Sequence, residues 1–158
     1  MAAPNKRKIL NDPVYGFISL RYGLTLDLMD HPYMQRLRRI SQLGLSHLVY
    51  PGAVHNRFHH AVGAMFLMQE AIDTLREKGI DITEAEAEGA CAAILLHDIG
   101  HGPFSHALEH SLVEGVHHED LSVLMMNRMN EEFNGALDLA IDIFNDHHPK
   151  AFLHQLVS

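Results

Sequence analysis

The chain has 158 residues, 47% apolar and 20% charged, enough to bury one domain's core and too apolar to be disordered. Its 11 Gly and 6 Pro exclude collagen-like and low-complexity classes, and the single cysteine, Cys91, excludes an internal disulfide framework or a Cys-rich zinc module. A formal net charge of −8 argues against broad binding to nucleic acid or anionic membrane, while 14 histidines, ten of them between His47 and His118, lean toward a metal or acid/base site.

In chain order, residues 1–8 read as a mobile basic tail with no secretory signal behind it, and no apolar run reaches the ~18–20 residues of a membrane span. A cytoplasmic location is expected. Asn11-Asp12-Pro13-Val14-Tyr15-Gly16 is turn chemistry, and Phe17–Leu20 reads as the arm of a short N-terminal β-hairpin. A short helix is expected near Thr25–Met29. Pro32 suits the first turn of a second helix, whose Tyr33, Leu37 and Ile40 share a face and which Gly44 stops. Leu45–Asn56, with Pro51-Gly52, reads as a loop. A long amphipathic helix follows from Phe58 to Lys78. Thr83 and Glu86 form a capping box opening an Ala-rich helix through His97-Asp98, which Gly100, Gly102 and Pro103 end abruptly. Further helices are expected at Ser105–Leu112, His118–Met129 and Gly135–Asn145, with a last one from Pro149. The fold class is all-α, a helical bundle.

Three clusters carry chemistry. The first runs from Leu95 to His106 and packs His97, Asp98, His101 and His106 into ten residues at the end of an apolar helix. A solvated Asp98 is a poor alternative there, because a carboxylate at a helix C-terminus opposes the dipole. The second is His55-Asn56-Arg57-Phe58-His59-His60, where Arg57 at a helix start also opposes the dipole and suggests a phosphate partner. His59 and His60 cannot face the same way. The third, His117-His118-Glu119-Asp120, opens another helix, and its acids fit a plain capping role. Met125, Met126 and Met129 read as core, Cys91 as a small buried hydrophobe, and Glu84, Glu86 and Glu88 as a solvated face. His147 and His148 read as structural or surface groups, and His31 receives no role.

Arg57-Phe58-His59-His60 followed by His97-Asp98 resembles the HD superfamily of metal-dependent phosphohydrolases. Within it the chain looks like the deoxynucleoside triphosphate triphosphohydrolase branch. Asn11-Asp12-Pro13, Gln35–Arg38, Gln42-Leu43-Gly44, Tyr50–Ala53, His55–Phe58 and the block 97–106 all fit that branch. The resemblance implies an HD domain over 9–158 and metal ligands at His60, His97 and Asp98. It implies His101, His106 and His118 as phosphate-facing or acid/base groups, with His106 as the acid for the leaving oxygen and Glu109 beside it. Arg57 would contact phosphate, and Gln42 and Leu43 the deoxyribose. Asp30, Gln35 and Arg38 align with regulatory nucleotide contacts. The mixed N/O ligand set suits Mn, Fe, Ni, Co or Zn, with Mg also admitted.

The implied reaction hydrolyses deoxynucleoside triphosphates to deoxynucleoside and triphosphate. The alternatives are another nucleotide phosphoester, or a non-catalytic nucleotide-binding module. A homo-oligomer is implied for the full-length protein. The branch completes its metal site with a distal Asp; Asp138, Asp142 and Asp146 lack that context, so a chain truncated at its C-terminus is expected.

Overall fold

The computed structural model describes residues 8–104 and 117–158, which form seven α-helices and one two-stranded hairpin. The expectations for residues 1–7, the helix at Ser105–Leu112, His106 and Glu109 lie outside the described residues.

Strand β1 (Ile9–Asp12) pairs antiparallel with β2 (Gly16–Ser19) in the register Ile9 to Ser19 and Asp12 to Gly16. The Asp12 carboxylate closes the turn by accepting from the Val14 and Tyr15 amides at 2.8 and 2.9 Å, and Gly16 supplies a φ of +74°. The Tyr15 ring at the hairpin tip packs against Phe66 and over Gly63, seating the hairpin on the long helix.

Helix α1 (Gly23–Asp30) leads directly into α2 (Pro32–Arg36). His31 caps α2: its Nδ1 accepts from the Tyr33 amide, and its Nε2 lies 3.2 Å from Glu132. Helix α2 stops at Arg36 rather than at Gly44. A 3₁₀ turn covers Leu37–Arg39, and Ile40 is extended. The cause is tertiary. The Ile40 carbonyl accepts from the Arg57 amide and Ser41 bridges Asn56, so the chain leaves the helix to pair with the start of α3. The expected loop after it contains a further 3₁₀ turn at Ser46–Leu48.

Helix α3 (Arg57–Glu77) is capped by Asn56, whose side chain accepts from the His59 amide. Helix α4 (Glu84–Leu96) opens on the expected Thr83–Glu86 capping box. Its Ala87, Gly89, Ala90, Cys91, Ala92 and Ala93 are small and buried, so α1, α3 and the C-terminal helices approach it closely from several sides. A Cβ on Gly89 would lie 2.9 Å from the Leu139 side chain. The last three helices are α5 (His118–Glu132), α6 (Asp138–Phe144) and α7 (Ala151–Val157). Met126 and Met129 are fully buried and Cys91 with them, as expected. Burial pushes the Cys91 thiol up to about 12, so it is an inert core group.

Glu86 departs from the solvated face expected of it. It takes Lys150 at 2.7 Å and lies 3.6 Å from His148, fastening the approach to α7 onto the start of α4. Burial alone would raise its carboxyl, but the bonds from Lys150 and Thr83 hold it below its ordinary value.

Gly100 ties the fold to the site. It needs no unusual φ; it needs room. A Cβ there would sit 2.2 Å from the His118 carbonyl oxygen and 2.5 Å from the Ser122 amide on α5. Its missing side chain lets α5 pack against the chain just past the end of α4. Gly100→Ala is expected to destabilise the protein by about 1–3 kcal/mol, read by urea unfolding. An unchanged midpoint would contradict the close packing.

Candidate metal centre

Two helix ends build the site. His60 projects from the first turn of α3, and His97 and Asp98 follow the last turn of α4. Beyond Leu96 the chain continues in tight turns, with the Ile99 amide on the Leu96 carbonyl and the His101 amide on the Asp98 carbonyl. That tightening lets adjacent residues His97 and Asp98 point to one place.

The His60 and His97 Nε2 atoms are 3.2 Å apart. His60 Nε2 lies 3.6 Å from Asp98 Oδ2, and His97 Nε2 lies 3.5 Å from Asp98 Oδ1. Two ligands on one ion with bonds of about 2.0–2.2 Å stand roughly 3.0–3.5 Å apart, so these separations fit a common cation. Among the described residues this trio is the one group of His, Cys, Asp and Glu side chains arranged to hold a metal. His97 Nδ1 donates to the Ile94 carbonyl at 2.6 Å, which fixes the ring and leaves the Nε2 lone pair toward the cluster.

Electrostatics favour the ligand-competent forms. Burial and the neighbouring His97 hold His60 below its ordinary value, so its ring is neutral near pH 7. Burial alone would raise Asp98, but His97, His101, Arg57 and His60 outweigh it and hold the carboxyl below its ordinary value.

Arg57 donates from Nη1 to Asp98 Oδ2 at 2.6 Å, with both side chains largely buried. This explains a cation at the start of α3, against the dipole: its counter-charge comes from the other helix. His101 is buried, with Nδ1 3.3 Å from Asp98 Oδ1. Its ring lies against that of His118 at 3.8 Å between centroids, and His118 Nε2 is 3.2 Å from Glu119. His97, Asp98, His101 and His118 therefore form one continuous polar seam, with Arg57 and His60 meeting it from α3.

Gln42 is half-buried and Leu43 half-exposed, beside the bridge that opens α3, and the Gln42 amide donates to the His55 carbonyl. Gln35 donates to the Met29 carbonyl and accepts from Arg38, whose guanidinium lies 3.7 Å over the Phe58 ring. Asp30 pairs with Lys8 at 3.4 Å on the surface. Asp138 accepts from Asn130 on α5.

Sequence reasoning left Ser122 unmarked and placed Arg36 in a motif without a role. Ser122 Oγ accepts from the Gly100 amide and donates to the His97 carbonyl, and Arg36 donates to the Ile99 carbonyl. No spacing signal marks either, because each acts on backbone far away in sequence.

A helical domain that brings a histidine from one helix onto a His-Asp pair at the end of another is the arrangement of HD proteins. The profile described as HD domain matches residues 57–153, and this chain belongs to the HD domain family. It is 38% identical over 130 residues to the deoxynucleoside triphosphate triphosphohydrolase SAMHD1 of Homo sapiens, covering 77% of this chain and 21% of that protein. It is 40% identical over 126 residues to the uncharacterized protein YwfO of Bacillus subtilis, covering 77% and 29%. The crystal structure of a phosphohydrolase from Bacteroides thetaiotaomicron superposes with a TM-score of 0.94 at 61% identity, covering 97% of this chain and 38% of that one. The chain spans 21–38% of the length of these three relatives. No described helix is long and apolar enough to cross a membrane.

Two outcomes follow. Asp98→Asn is expected to cost the metal-free protein about 3–5 kcal/mol, because it removes the carboxylate that pairs with the buried Arg57 guanidinium. Urea unfolding checks it, and a loss below 1 kcal/mol would contradict the pairing. The second concerns pH. With His60 held below 6.5, the unfolded chain takes up the proton first as pH falls, so stability rises with pH across the window just below 6.5. His60→Gln should remove that part of the slope, measured as the unfolding free energy of both proteins between pH 5 and 7. Parallel slopes would contradict it.

Proposed function

We propose that the protein is a metal-dependent phosphohydrolase of deoxynucleoside triphosphates, releasing deoxynucleoside and intact triphosphate. The observation that carries the metal requirement is the convergence of His60, His97 and Asp98 on one point from two helix ends. The substrate class rests on the likeness to the triphosphohydrolase SAMHD1, 38% identical over 130 residues.

His60, His97 and Asp98 are the ligands in this reading, and two imidazoles with a carboxylate suit Mn, Fe, Ni, Co or Zn. A divalent ion held there supplies a Lewis acid for a phosphoryl oxygen and eases deprotonation of water. Arg57 keeps Asp98 ionised and oriented, and adds positive charge for a polyanionic substrate. His101 and His118, packed ring against ring beside Asp98, face the phosphates and hold or move protons there. The 5′-oxygen of the leaving deoxynucleoside needs a proton, and His106 with Glu109 is assigned that task. Gln42 and Leu43 are assigned to the sugar.

The experiment is a panel of deoxynucleoside triphosphates, ribonucleoside triphosphates and nucleoside monophosphates, incubated with Mn²⁺-loaded protein and resolved by chromatography. Triphosphate with deoxynucleoside is the expected product pair. Orthophosphate or pyrophosphate as the main product would refute the reaction. In a chain extended past Ser158, His106→Ala should lower kcat by roughly 10²–10⁴-fold with metal retained, whereas His97→Ala should lose the metal. An unimpaired His106→Ala would remove the assigned acid.

A further inference from the structure

The end of α4 is a helix C-terminus whose last carbonyls have no partner within the helix. Two carbonyls just past that end, those of His97 and Ile99, are met by side chains from other elements. Ser122, fully buried on α5, donates from Oγ to the His97 carbonyl at 3.0 Å and accepts from the Gly100 amide at 2.9 Å. A helical serine ordinarily bonds back to the carbonyl one turn before it on its own helix. This one spans to a different segment, 25 residues from His97 and 22 from Gly100. Arg36 at the end of α2 donates from Nη2 to the Ile99 carbonyl at 2.5 Å. The absent Gly100 side chain is what brings α5 near enough for the serine to reach.

We propose that Ser122 and Arg36 are positioning residues for the metal centre: together they clamp the backbone of residues 97–100 and so set where His97 and Asp98 aim. Neither touches the metal or the substrate. The proposal rests on the reading of His60, His97 and Asp98 as ligands. The physical ground is tolerance. Ligand groups must be held within about 0.5 Å of the productive geometry, and residues on a helix end with unmet carbonyls fray unless something outside the helix holds them. Here the holding groups come from α2 and α5, so the centre depends on four elements although the proposed ligands come only from α3 and the segment just past α4.

The test is Co²⁺ titration of the metal-free 158-residue protein, following the visible ligand-field bands, alongside thermal unfolding of the same samples. The proteins are wild type, Ser122→Ala, Ser122→Thr, Arg36→Met and His97→Ala. Wild type should bind and His97→Ala should not. Ser122→Ala and Arg36→Met should bind about 10–100-fold more weakly, with altered bands. Ser122→Thr, which keeps the hydroxyl, should stay within a few-fold of wild type even where its Tm falls. Should Ser122→Ala fail to fold, Arg36→Met carries the same expectation. Wild-type affinity and bands in both Ser122→Ala and Arg36→Met, with only Tm lowered, would overturn the clamp and leave the ligand assignment standing. No Co²⁺ binding by wild type would instead refute the ligand assignment, and the clamp with it.

Discussion

A guanidinium and a carboxylate meet at 2.6 Å in the interior, Arg57 from the first residue of α3 and Asp98 from just beyond the end of α4. Neither ion is tolerable there alone, since an unpaired buried charge costs several kcal/mol. The pair therefore fixes two helix ends against each other. The fold around it accommodates that constraint: the small residues of α4 let α3 lie close, and the extended Ile40 holds the start of α3 through the Arg57 amide. His60, one turn along α3, is carried to His97 by the same docking.

The trio converges on one point through the packing of α3 against α4. Its local field is mixed. His97, His101, Arg57 and His60 together overcome the desolvation of Asp98, while His60 is kept neutral by burial and by His97. Arg57 and the surrounding imidazoles thus set the ionisation of Asp98 locally, within a chain whose formal charge is −8.

Much of this was legible in the sequence, and the reasons it was or was not are local. The Thr83–Glu86 box, the Pro32 start and the hairpin turn at Asp12–Gly16 are encoded within a few residues, and each formed as read. The end of α2 was not legible, because the pairing of Ile40 and Ser41 with the α3 start spans about 16 residues. Arg57 was marked as anomalous by its place against the dipole, but its partner lay 41 residues away. Glu86 looked solvated by pattern until Lys150 was brought to it. The trio His60, His97 and Asp98 was named from a family resemblance; spacing alone left open which of His59 and His60 would face it.

The most direct test of the account is anomalous diffraction at the manganese edge from crystals grown with Mn²⁺. The account predicts one strong peak about 2.0–2.2 Å from His60 Nε2, His97 Nε2 and an Asp98 carboxylate oxygen. A metal peak elsewhere with none at this trio, in crystals where both histidines keep their positions, would contradict it.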